Sequence, residues 1–167
     1  NFAGQAAMPA AIYPPAIVAE ITTDFSHCKI FNLSINGSRP CRLRHMSAWA
    51  AAIDRINWES DSLFVISAGN LKRESQYPNN PGVKEIIASG KSYPQYFADA
   101  FCRIANPAQA AFGLTVGSVC IDQFTDLNYA SFGQRDTPSA FTRSGPGLWG
   151  MIKPDVVEYG GDFIRET

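Results

Sequence analysis

The chain is short of charge and of the side chains that most often carry chemistry. Asp, Glu, Lys and Arg make up only 17% of its 167 residues, the net charge is −1 and the pI is near 6.1. So even a balance gives no electrostatic pull toward nucleic acid or an anionic membrane. No apolar run approaches the length of a membrane span. No G-x-G-x-x-G or G-x-x-x-x-G-K-[ST] pattern follows any strand-like segment, which disfavours a nucleotide-binding domain. The four cysteines, Cys28, Cys41, Cys102 and Cys120, lie far apart with no C-x-x-C pair, so no zinc site is expected. Disulfide pairings and redox compartment stay open, although Cys28 and Cys120 sit in apolar segments and read as buried thiols. There is no internal repeat and no low-complexity tract.

What is present is apolar. Hydrophobic residues reach 46%, enough for one domain with a sizeable core, or for a piece of something larger. The organising stretch is Leu63-Phe64-Val65-Ile66-Ser67-Ala68-Gly69-Asn70. A run of large and β-branched residues that stops at small ones reads as a strand buried on both faces, as in parallel sheets. Ligands of such sheets gather beyond the carboxyl ends of the strands. Ala68 and Gly69 let another backbone approach there, and Asn70 places a carboxamide at the rim. Gly-Asn is also ordinary turn material.

Around this stretch the chain alternates helix and strand. Residues 1–13 form a small-residue lead-in, and Pro14-Pro15 then opens a helix to about residue 23 carrying Ile17, Val18 and Ile21 at helical spacing. Residues 29–35 read as a strand ending in the turn Asn36-Gly37, and the basic, proline-bearing segment 38–44 reads as a loop. Met46, Trp49, Ala50, Ile53 and Ile56 share one helix face, with Ser47 as its cap. Helix, strand, helix, strand is the order of parallel crossovers, so the fold class is α/β with a mostly parallel sheet flanked by helices. Residues 71–81 read as a surface loop and 82–104 as one or two short helices interrupted near Pro94. Residues 111–121 form a further strand whose glycines mark close neighbours. Two aromatic-bearing pieces (129–132 and 141–144), a Gly145-Pro146-Gly147 turn and a last strand over 153–159 complete the chain.

Taken together, these segments resemble the subtilisin-like serine proteases, the subtilases, over residues 30–161. Asn32-Leu33-Ser34-Ile35-Asn36-Gly37 resembles their N-x-S-x-G segment, and Ser67-Ala68-Gly69-Asn70 their A-A-G-N segment. Asn106-Pro107-Ala108 with Leu114 to Val119 resembles Y-P-A … V-G-A-V. Ala130-Ser131-Phe132, Phe141-Thr142-Arg143-Ser144-Gly145-Pro146 and Lys153-Pro154-Asp155-Val156 echo A-S-F-S, F-S-x-x-G-P and K-P-D-V.

The resemblance implies roles for residues here. Ser34, Ile35 and Asn36 would be a strand edge that pairs with an extended peptide. Ser67, Ala68 and Gly69 would wall the pocket for the side chain before the scissile bond, and Asn70 would donate to the oxyanion of the tetrahedral intermediate. The implied partner is a peptide or protein substrate, with no cofactor, no nucleic acid and no membrane.

Three family segments are missing: the D-T/S-G aspartate, the H-G-T-H histidine and the G-T-S-M-A serine. His27 and His45 stand in other contexts, as do Ser139 and Ser144, and Glu158-Tyr159-Gly160 replaces the usual Ala-Pro-Gly. The resemblance therefore implies a partial subtilisin-like fold, the middle-to-late part of a catalytic domain, inactive alone. A non-catalytic peptide-binding relative is the alternative. Strand edges and apolar faces without neighbours tend to pair with another copy, so a homo-oligomer is expected, with exchange near residues 1–23 as one route.

Overall fold

A parallel sheet with strand order β1-β2-β3-β5 forms the frame of the computed structural model, which describes residues 13–75 and 77–167. Except for Tyr13, the lead-in expected at the start of the chain falls outside those residues. The strands are β1 (Ile30–Leu33), β2 (Leu63–Ser67), β3 (Leu114–Val119) and β5 (Val156–Tyr159). Every pairing in this sheet is parallel, with Ile30 opposite Leu63, Val65 opposite Leu114 and Val116 opposite Val156. A separate antiparallel pair joins β4 (Tyr129–Ser131) to β6 (Ile164–Glu166). The fold is α/β, as the alternation of patterns predicts.

Two helices close one face of the sheet. Helix α1 (Pro14–Asp24) begins with prolines in its first turn, where a missing N–H costs nothing, and packs on α2 through Val18. Helix α2 (Ala48–Ser60) is capped by Ser47, whose side chain accepts from the Ala50 N–H at 3.1 Å. Its Trp49, Ala50, Ile53 and Ile56 meet Phe64 and Ile66 of β2 in one apolar cluster. The polar residues of α2 are used as well. Asp54 accepts from the Ala111 and Phe112 N–H groups at 2.9 and 2.8 Å, and Asn57 donates to the Phe112 carbonyl at 3.0 Å. These bonds hold the turn that feeds β3, so that strand starts at Leu114 rather than at residue 111.

A second apolar cluster lies around helix α3 (Val83–Ala88), where Leu71, Val83, Ile86, Tyr96, Cys102 and Ala140 are buried. Two single-turn 3-10 helices, Gln95–Ala98 and Ala100–Cys102, follow the interruption at Pro94. Leu71 is only 1% exposed and anchors what reads from sequence as a wholly superficial loop. The thiol expectation also shifts: Cys120 is buried, but so are Cys41 and Cys102, while Cys28 is half-buried, and all four are free.

Strand edges are trimmed by side chains that capture the backbone. β1 ends at Leu33, not at residue 35, and β5 starts at Val156, not at residue 153. Before β5, Asp155 accepts from the Thr115 N–H at 2.6 Å and from Lys153 Nζ at 2.7 Å, and Lys153 also donates to the Gly113 carbonyl. Gly113 and Gly117 are required by close approach. A Cβ there would lie 2.6 Å from Ile66 Cδ1 and 2.7 Å from Pro154 Cγ.

One expectation is overturned. β2 is buried on the Phe64/Ile66 face only; Leu63, Val65 and Ser67 stay at least partly exposed. Both long helices join the same apolar cluster, so the opposite side of the strand is left open.

Candidate functional site

That open side is where the sequence-derived residues meet. A cleft of about 430 Å³ runs across the carboxyl ends of β1, β2, β3 and β5, lined among others by Ser34, Val65, Ser67, Gly69, Asn70, Ser118, Thr142 and Glu158. Ser34, Ser67, Gly69 and Asn70, which the resemblance groups in one site, thus line one cleft. Ile35, Asn36 and Ala68 do not line it. Ile35 points to solvent at 40% exposure. Asn36 reaches sideways, its Nδ2 donating to the Ser67 carbonyl at 2.7 Å, which ties the end of β1 to the end of β2. Ala68 is buried, its N–H bonded to the Val116 carbonyl and its carbonyl to the Ala105 N–H.

The turn at Gly69 needs glycine twice over. Its φ is +94°, which L side chains rarely adopt, and a Cβ would sit 2.8 Å from Ala105 Cβ and 3.1 Å from Arg143 Cδ. Asn70 follows with its backbone pinned on both sides: the Arg143 N–H donates to Gly69 O at 3.1 Å, and the Leu71 N–H donates to Phe141 O at 2.7 Å. Its carboxamide is exposed and bonds to no described residue. The main chain is rigid and the side-chain donor is free.

Sequence reasoning missed the residue that holds this rim. Arg143 is 1% exposed, yet no carboxylate pairs with it among the described residues. Its guanidinium donates instead to the carbonyls of Asn70 (3.3 Å), Phe101 (2.7 Å), Arg103 (3.1 Å) and Ser38 (3.4 Å), and to Asn80 Oδ1 (2.8 Å). A planar fork with five N–H groups suits such a set of acceptors. Burial pulls its pKa down, an effect opposed by the neighbouring Cys102 and Cys41. Burial likewise raises both thiols, with Cys102 pushed up to about 12. In sequence Arg143 is one arginine among several; its only signal is its place inside the Phe141-Thr142-Arg143-Ser144-Gly145-Pro146 segment.

Thr142 is a second missed residue. Its hydroxyl accepts from the Ser118 N–H at 3.0 Å and it lines the cleft beside Asn70. The histidines are not part of the cleft: His27 and His45 are exposed elsewhere. Ser139 is buried, its hydroxyl shared with Ser118 at 2.7 Å and bonded to the Gly161 carbonyl. The cleft thus offers one free amide donor, while its described residues supply no hydroxyl activated by a base.

The sequence model of the Subtilase family (peptidase S8) matches residues 5–167. A Sinorhizobium fredii protein named uncharacterized protein y4bN is 33% identical over 144 residues, spanning 82% of this chain and 32% of that protein. The chain thus covers about a third of the length of the curated relative it matches. Among solved structures, a serine-to-alanine mutant of the protease domain of PatA aligns with a TM-score of 0.42 at 15% identity, covering 83% of this chain and 35% of the other.

Proposed function

The chain belongs to the subtilase family, and from that premise we propose that it is the cleft-bearing part of a serine endopeptidase. A substrate peptide lies extended along Ser34, Ile35 and Asn36, pairing through its main chain. The side chain before the scissile bond rests against Ser67 and Gly69, with the buried Ala68 behind them. When the carbonyl carbon is attacked, negative charge develops on its oxygen, and the Asn70 carboxamide donates to it. An amide suits this task because it is polar without titrating, and its backbone is already fixed.

The attacking serine, its histidine base and the orienting aspartate belong to family segments that these 167 residues do not contain. In this reading other parts of the protein supply them, and the chain alone cleaves no peptide. The observation that supports the reading best is the free, exposed carboxamide of Asn70 just beyond the carboxyl end of the parallel strand β2, facing an open cleft.

The test is kinetic. In the full-length protein, Asn70→Ala should lower kcat by about a hundred- to a thousand-fold with little change in KM. That magnitude is the one known for the corresponding donor of subtilisin. Unchanged kcat would remove Asn70 from the chemistry. A parent gene with neither H-G-T-H nor G-T-S would turn the reading toward a binding relative.

A further inference from the structure

Resting on that reading, we propose that the cleft selects acidic peptides, taking Asp or Glu side chains on the substrate residues that precede the bond cut. The argument starts from two cavities that open where the Ser34–Asn36 edge ends. One, of about 480 Å³, is lined by Gly37, Arg39, Arg42 and His45 among others, and no Asp or Glu lines it. The next, of about 370 Å³, is lined by Arg39, Lys72 and Asn80 among others, again with no Asp or Glu. Arg39 is common to both, so the two form one cationic surface beside the peptide-pairing edge.

These cations are unneutralised. Among the described residues Arg39, Arg42 and Lys72 take part in no ion pair, whereas Arg55, Lys84, Lys91 and Arg135 each pair with a carboxylate. The segment Ser38-Arg39-Pro40-Cys41-Arg42-Leu43-Arg44-His45 holds three arginines and no acid in a chain whose net charge is −1. The charge is concentrated here against the average of the molecule.

The backbone of the loop is also anchored, so the residues that carry the charges stay beside the groove. The Gly37 N–H donates to Asn106 O at 2.7 Å, the Cys41 N–H to Ile104 O at 2.8 Å and the Trp149 N–H to Leu43 O at 2.7 Å. Asn80 Nδ2 donates to Ser38 O at 2.6 Å while its Oδ1 accepts from Arg143, which joins the walls of the second cavity to the arginine that holds Asn70. Preset positive charge beside a groove raises the local concentration of anionic ligands and speeds their capture, with steep salt dependence. A ligand that enters by pairing with a strand edge is a peptide, and the complementary peptide is acidic.

The experiment compares fluorogenic peptides in the full-length protein, identical at the cleaved bond and carrying Glu, Gln or Lys at the preceding positions. The expected kcat/KM order is Glu, then Gln, then Lys, with about tenfold between the extremes at low salt and a gap that closes as salt screens the exposed charges. Reversal of that order in Arg39→Glu/Arg42→Glu would assign the preference to this surface. Equal kcat/KM for the three peptides, or no dependence on salt, overturns the proposal and leaves the protease reading standing. If no peptide is cut, the protease reading fails by itself. Fluorescence anisotropy of the same peptides then decides this point: tighter binding of the Glu peptide supports acidic selection, and equal binding ends it. Tighter binding of a single-stranded oligonucleotide than of any peptide would also overturn it.

Discussion

Two regions meet in β2: its Phe64/Ile66 face is closed by apolar packing, and in the rim that follows, between the buried Ala68 and Leu71, Gly69 and Asn70 are held by hydrogen bonds. On the closed face, α2 removes Phe64 and Ile66 from water, and stability comes from area and shape. At the rim, Gly69 and Asn70 bury little apolar surface, and the buried fork of Arg143 replaces packing. The difference teaches how a small protein keeps a polar donor exposed without letting it wander. The backbone is fixed from behind by polar bonds, so the front needs no cover.

Breaking the polar side should have the largest effect. Arg143→Met leaves several buried carbonyls without donors, and we expect a loss of about 3–5 kcal/mol of unfolding free energy in urea titration. A loss under about 1 kcal/mol would mean that water or neighbouring donors replace the fork. On the apolar side, Ile66→Ala should cost about 2–5 kcal/mol by the same titration, whereas Val65→Ala, on the open face, should cost clearly less. Equal costs would erase the contrast between the faces.

The thiol beside the arginine sharpens the comparison through pH. Burial raises Cys102 from near 9.0 to about 12 in the folded protein, Arg143 opposing and Asp99 adding to the shift. The unfolded thiol ionises first, so the stability tied to Cys102 is full below about pH 9 and is lost as pH rises toward 12. Cys102→Ala should flatten that part of the stability–pH curve relative to the parent. Smaller again, Ser47→Ala removes the cap of α2 and should cost about 1 kcal/mol in thermal or urea unfolding. Smallest of all, Asn70→Ala should change stability by less than about 0.5 kcal/mol, because its carboxamide bonds to no described residue. A larger loss would show that the amide supports the fold.

Much of this was legible in the residues. The apolar period of α2 and its Ser47 cap, the prolines that open α1 and the cores of β1, β2 and β3 all follow from neighbours a few positions apart. The rim at Ser67-Ala68-Gly69-Asn70 was legible too, since a buried run that stops at small residues announces a strand end. The burial of Leu71, the late start of β3 and the strand β6 were not legible. Each depends on distant partners, such as Asp54 capturing the Ala111 and Phe112 N–H groups across the fold.

By itself the sequence determined where the two long helices and the centres of the parallel strands lie, and which residues are small enough to let backbones approach at the rim. Those are local matters, settled by side-chain size, backbone freedom and caps within a turn or two. Only the tertiary structure decided that α1 and α2 share one side of the sheet, leaving the other open, and that Arg143 is an interior clamp and not a surface charge. Its acceptors come from residues 38, 70, 80, 101 and 103, and no local pattern can bring such scattered groups to one guanidinium.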